Sequence, residues 1–342
     1  MDIRKTLLWA IFTISALLLF NAWQEQTGQG SLFSKPAAPA KEQAVMAEGG
    51  AKDLPKPSGS SLAAPAQAAA PKTGEILTLK NDVLELEIDT LGGVVSKARL
   101  LKHLEEDKSP VLLFDRSNDR QYFARSGLVS GSAVELPNHT QIFSVTRNQT
   151  NNSITLSAEK NGVRLEKTYA LANGSYVVEA KHSIKNISAQ NLDATLYAEL
   201  VRDGGKPSFK GKVEESSFYS TFTGPAVYTD AEKFHKVDFS DIEKGKSKVP
   251  STQPAGDTAW VAMVQHYFVS AWVPPTTYSK DLYVEKLDKN QFRVGVKSKL
   301  DALGVGQEKV ETFKLFVGPQ EERVLENLSL IHISEPTRLL SI

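Results

Sequence analysis

Cysteine is absent from all 342 residues. That excludes a disulfide framework, a thiolate zinc site and a lipid-modified Cys anchor. A charge excess is missing too: 40 Lys and Arg balance 40 Asp and Glu, so the formal net charge is zero. A chain without a basic surplus has little with which to neutralise phosphates, and nucleic acid is not an expected partner. Catalytic signatures are equally scarce. There is no G-x-S-x-G elbow, P-loop or dinucleotide fingerprint, and the Gly-Gly pairs 92–93 and 204–205 read as turns. His103, His139, His182, His235, His266 and His332 are scattered, with no pair at metal-ligand spacing. No catalytic, cofactor-binding or metal-binding residue is assigned, and no cofactor is expected.

What is present begins with an apolar run. The opening MDIRKTLLWAIFTISALLLFNAW places Arg4 and Lys5 ahead of the uncharged residues 6–23. As a helix, residues 7–23 would reach about 25 Å, near the short limit for crossing a bilayer core. The cations precede the span and Trp23 sits at interfacial depth, which predicts a cytoplasmic N-terminus for the segment 1–23. A cleavable signal peptide is the rival reading, but the following NAWQEQTGQG has no small-x-small cleavage pattern. Residues 24–73, dominated by Ala, Pro, Gln, Gly, Ser and Lys, hold too little apolar bulk to offset the entropy of ordering them. They are expected to form a disordered tether.

From residue 74 the pattern is that of strands. In DVLELEIDT, Leu84, Leu86 and Ile88 alternate with Glu85, Glu87 and Asp89, giving one apolar and one solvated face. Asn161-Gly162 and Asn173-Gly174 lie between β-patterned runs and predict hairpins with positive φ at both turn residues. The run containing Leu192, Ala194, Leu196, Ala198 and Leu200 continues them as the fourth strand of an antiparallel meander, long enough to need two packed sheets. DTAWVAMVQHYFVSAWVPP is apolar on both sides and predicts one central strand, with Trp260, Ala262, Val264, Phe268 and Trp272 on the same face. Residues 203–248, rich in Gly, Pro, charges and aromatics such as Phe218, Tyr219, Tyr228 and Phe234, read either as an exposed loop that contacts partners or as two ordinary edge strands with a long loop. A short helix is expected near EERVLENL, on Val324, Leu325 and Leu328.

Five segments, in order behind the apolar start, carry a resemblance: GEILTLKNDVLELEIDTLGGVVSKARL, RSGLVSG, TGPAVYTDAEKFHKVDF, DTAWVAMVQHYFVSAWVPP and LFVGPQE. Together they resemble the YidC membrane protein insertases of Gram-negative bacteria, over residues 1 to about 327. The resemblance implies a mainly β fold: an antiparallel β-supersandwich periplasmic domain, residues 74–327, behind one N-terminal transmembrane helix, similar to sugar-mutarotase-like domains. It implies an inner-membrane chaperone without enzymatic activity or cofactor. Its partners would be nascent inner-membrane proteins, the Sec translocon with its accessory components, and the lipid bilayer. In that family a bundle of five further transmembrane helices follows. Here LSLIHISEPTRLLSI, residues 328–342, follows instead, and it looks like a conceptual translation of a sequencing-library adapter on a gene fragment. The alternative is a membrane-tethered periplasmic carbohydrate-binding or mutarotase-like protein, since large β-sandwiches often bind or process sugars. A His and Glu set facing one cleft would favour it.

Overall fold

The computed structural model of the chain describes residues 54–55, 74–117, 120–132, 134–146, 152–205, 208–209, 212–213, 222–250, 252–287, 290–321 and 325. The expected anchor, nearly all of the tether and residues 328–342 lie outside the described residues. Among the described residues, no helix is long and apolar enough to cross a membrane.

Two nine-stranded antiparallel sheets make up the domain. The first runs, edge to edge, β1 (Ile76–Lys80), β2 (Leu84–Asp89), β3 (Val94–Leu104), β4 (Pro110–Arg116) and β5 (Gln121–Val129). It continues with β10 (Thr195–Asp203), β19 (Gln291–Lys299), β18 (Lys280–Lys286) and β15 (Thr252–Gln253). The second begins with β14 (Lys233–Lys236), β13 (Thr223–Thr229), β16 (Ala259–Gln265), β17 (Phe268–Val273) and β20 (Glu308–Pro319). It ends with β9 (Val177–Asn186), β8 (Val163–Leu171), β7 (Ser153–Lys160) and β6 (Ser144–Thr146). A two-stranded pair, β11 (Ser208–Phe209) and β12 (Lys212–Val213), and the short helix α1 (Phe239–Glu243) complete the elements. One large core cluster draws Leu84, Leu196 and Val294 from the first sheet and Leu165, Met263 and Leu315 from the second. The sheets therefore pack face to face as a β-sandwich, the expected mainly β, antiparallel fold.

Local chemistry explains most of the elements. In β2, Leu84, Leu86 and Ile88 are buried, while Glu85 and Glu87 turn outward to Lys80, Lys97 and Arg99. Asn161 (φ +50°) and Gly162 (φ +76°) form the two-residue turn between β7 and β8. At the second Asn-Gly pair only Gly174 (φ +70°) is left-handed, and the connection spans residues 172–176. It is a longer loop than the sequence pattern predicts.

Three expectations need correction. First, β10 is not the fourth strand of the meander. It crosses to the first sheet, between β5 and β19, and β20 takes its place beside β9. The reason is burial on both faces: Tyr197, Glu199 and Val201 are as inaccessible as Leu196, Ala198 and Leu200, which suits the middle of a sheet. Second, the Trp-rich block is two strands, not one. His266 takes φ +50° and reverses the chain, pairing Gln265 with Phe268. The reversal changes face parity, so Phe268 and Trp272 enter the inter-sheet core while Trp260, Ala262 and Val264 face outward with Val269 and Ala271. Third, the described part of 203–248 is largely structural. β13 is buried between β14 and β16, Val237 and Ile242 are buried, and Tyr228 stacks on Trp260 at 5.5 Å. Phe218 and Tyr219 lie outside the described residues. Of the expected C-terminal helix, Leu325 is described: it is helical, buried against the Trp260 cluster, and its N–H donates to the Glu321 carbonyl at 3.0 Å.

Candidate functional site

The alternation that sends Leu196, Ala198 and Leu200 into the core turns Tyr197, Glu199 and Val201 to the opposite face of the first sheet. Register then supplies Glu199 with partners. Arg125 on β5 stands directly across from it, and Arg293 on β19 stands across from Val201, two residues along. Gly295 faces Glu199 on that same side. A Cβ there would lie 2.3 Å from Tyr283 Cζ, so the glycine leaves room for the Tyr283 ring to lie against the sheet. From that position the Tyr283 hydroxyl donates to Glu199 Oε2 at 2.6 Å.

The result is a buried ion network. Glu199 is 0% exposed, Arg125 5% and Arg293 3%. Arg125 Nε meets Glu199 Oε1 at 2.5 Å, and Arg293 Nη1 lies 3.6 Å from Oε2 while its Nε donates to Glu285 at 3.0 Å. Burial by itself would raise the Glu199 carboxyl; the two guanidiniums, His139 and the Tyr283 hydroxyl outweigh it and hold the group below the usual carboxylate value. Tyr283 is pushed well up by burial and by the neighbouring carboxylate. Beside the network, His139 Nδ1 and the Tyr197 hydroxyl are 2.5 Å apart.

A second polar group sits inside the sandwich. Lys167, on the core face of β8, is 0% exposed. Its Nζ donates to the carbonyls of Gly92 and Ser126, each at 2.7 Å, tying the second sheet to the turn before β3 and to β5. Tyr169 donates to the Gly93 carbonyl at 2.6 Å, and His182 Nε2 lies 2.8 Å from Ser126 Oγ. Burial pulls the Lys167 amine down to about 7. Burial, followed by the Lys167 charge, pulls His182 down to about 3.

Chemically, these groups hold strands together better than they exchange protons. A carboxylate between two guanidiniums is a weak base, and a hydroxyl donating to that carboxylate is a weak acid. The histidines are dispersed: His139 joins Tyr197, His182 joins Ser126, and His103 Nε2 lies 3.1 Å from the Tyr176 hydroxyl. His332 lies outside the described residues. Among the described residues, no group of three or more His, Asp or Glu side chains could hold a metal ion.

Comparison with known proteins decides the family. The model of the YidC periplasmic domain matches residues 76–334. A protein of Cupriavidus necator named membrane protein insertase YidC is 47% identical, across 96% of this chain and 60% of its own length. Its namesake in Cupriavidus metallidurans is 44% identical with the same coverage. The chain belongs to the YidC periplasmic domain family. The YidC match starts on Ile76, the first residue of β1. The chain spans about 60% of the length of the curated YidC relatives it matches. Among solved structures, a galactose mutarotase-like protein from Lactobacillus casei superposes on 71% of this chain and 100% of its own, with a TM-score of 0.49 and 10% identity.

The sequence pattern missed Arg125, Glu199, Arg293 and Lys167 of this YidC domain. Lys167 stands where a hydrophobic residue was expected, between Leu165 and Tyr169 on the buried face of β8. The one visible signal for Glu199 was its company: Tyr197 and Val201 on the nominally polar side of β10 mark that side as covered.

Proposed function

We propose that the chain is the anchored periplasmic part of a membrane protein insertase, assisting insertion and folding of inner-membrane proteins alone or with the Sec translocon. One observation carries the reading: family membership over residues 76–334, joined to relatives named membrane protein insertases that align with 96% of the chain. In this reading residues 1–23 are a cytoplasmic tip and a single inner-membrane span, 24–73 a tether, and 74–327 the folded periplasmic domain. Arg4 and Lys5 ahead of the apolar run support that orientation. The partners are nascent inner-membrane proteins, the lipid bilayer and components of the Sec translocon. The driving force for a client is transfer of its apolar segments into lipid, so neither nucleotide nor cofactor is required.

The domain acts by binding rather than catalysis. Supporting this, Glu199, the fully buried carboxylate of the outer face, is held ionised by Arg125 and Arg293 and is a poor general base. Topology is the accessible test. Protease added to spheroplasts should digest the 74–327 domain while a cytosolic marker survives. A domain that stays protected contradicts the reading.

A further inference from the structure

The two Asn-Gly pairs share a sequence and differ in everything around it. Asn161 is fixed. It occupies the left-handed region, its Nδ2 donates to the Glu135 carbonyl at 2.8 Å, and the Gly162 carbonyl accepts from Ile187 N–H at 2.8 Å. A Cβ on Gly162 would come within 2.6 Å of Ser188, so this hairpin is packed on both sides. Asn173 is exposed and has no hydrogen bond on its side chain among the described residues. Gly174 is also exposed, with nothing within 4 Å of the position a Cβ would take. Its N–H donates to Asp82 Oδ1 at 2.6 Å, a carboxylate brought from the turn between β1 and β2.

That juxtaposition matters because the main-chain nitrogen after an asparagine is the nucleophile of intramolecular imide formation. Glycine is the residue at which it is least hindered. A carboxylate within hydrogen-bond reach of that N–H meets the geometric requirement for a general base. We propose that Asn173-Gly174 is a self-modification site, converted to aspartate and isoaspartate with Asp82 as the base, while Asn161-Gly162 is protected. As Gly174 N bonds to Asn173 Cγ, Asp82 takes the proton from that nitrogen. The Cγ–Nδ2 bond then breaks, and the proton leaves with the nitrogen as ammonia. Water adds at one imide carbonyl: opening at Cγ leaves aspartate, with the carboxylate where the amide stood, and opening at the main-chain carbonyl leaves isoaspartate, with the carboxylate there and the chain continuing through Cγ.

The product falls at a joint between the sheets. Asn81 Nδ2 donates to the carbonyls of Ala172 (2.6 Å) and Ser175 (2.9 Å), bracketing the modified residue from the first sheet. Isoaspartate lengthens the main chain between those two anchors and adds a negative charge opposite Asp82. The modified chain should therefore hold β1–β2 against β8–β9 less tightly.

The test is to incubate the full chain in neutral buffer at 37 °C and follow ammonia loss by mass spectrometry of the tryptic peptides 168–181 and 161–164. In the folded chain, residue 173 should convert at least about tenfold faster than residue 161, the scale of a positioned base. In urea the two rates should converge. Equal rates in the folded chain, or faster conversion at 161, would overturn the proposal. Asp82→Asn should slow position 173 and leave 161 unchanged. An unchanged or faster rate at 173 in a folded Asp82→Asn protein, checked by circular dichroism, would remove Asp82 as the base. If that variant fails to fold, the comparison of folded with urea-treated wild type still decides the selectivity.

Discussion

Lys167 donates to two carbonyl oxygens and, among the described residues, to no carboxylate, and this fixes the sign of its pH dependence. Folded, its amine titrates at about 7, below the 10.5 of an ordinary lysine. Between those values the unfolded chain keeps a proton that the folded chain has released, so stability rises with pH across the window. The slope approaches one proton, about 1.4 kcal/mol per pH unit. Urea midpoints measured between about pH 7 and pH 10 should climb in the wild type and lose that component in Lys167→Met; parallel curves would refute the assignment. Glu199 has the same sign in a more acidic window, for its pKa too is lowered on folding. Its folded carboxyl lies below the ordinary value, so its stabilisation is present above the usual carboxylate range and is lost as pH falls through the folded value. Glu199→Gln at pH 7 should cost about 3–5 kcal/mol, because the buried Arg125 and Arg293 lose the carboxylate they share, Arg293 keeping Glu285. Denaturant unfolding reads this directly, and a loss below about 1 kcal/mol would mean that the network is solvated. None of these residues stood out by spacing. Arg125, Glu199 and Arg293 come from strands remote in sequence, and strand pairing alone brings them together.

At the scale of elements, alternation was legible wherever one face meets solvent. β2 and β8 follow it closely, and the Asn161-Gly162 turn follows from its two residues. Doubly covered strands were harder to read. In β10, β16 and β17 both faces are apolar or masked by neighbours, so periodicity carries no register. The reversal at His266-Tyr267 contains neither Gly nor Asn, and nothing in a residue list marks it as a turn. Gln320 holds it, with Nε2 donating to the carbonyls of His266 (2.7 Å) and Phe268 (3.1 Å) from the residue just after β20, some fifty residues later. Trp260 tests the resulting hairpin. It is 0% exposed and stacked on Tyr228, so Trp260→Ala should cost about 3–5 kcal/mol in denaturant unfolding, and a neutral result would reject the placement. Gly92 tests the turn that Lys167 clasps. It has φ +83°, and a Cβ would lie 2.3 Å from the His139 carbonyl oxygen. Gly92→Ala should lower stability by more than about 1 kcal/mol, read as a fall in melting temperature, whereas an unchanged melt would show that the turn relaxes freely.

For the whole molecule, the sandwich explains how a domain without cysteine stays folded outside the cytoplasm, as the proposed location demands. Two nine-stranded sheets share one apolar core, and Lys167 and Trp272 stitch them together, the Trp272 Nε1–H donating to the Glu199 carbonyl at 3.1 Å. Such a body can hold partners on its surfaces while its interior remains fixed. The central claim is that this body serves a membrane protein insertase. The most direct measurement replaces the matching region of the Cupriavidus necator insertase with residues 1–327 of this chain and follows growth of cells depleted of their own insertase. The account predicts that the chimera restores growth and that its 74–327 domain is digested by protease in spheroplasts. A chimera that accumulates in the membrane with that topology yet leaves the cells unable to grow would contradict it.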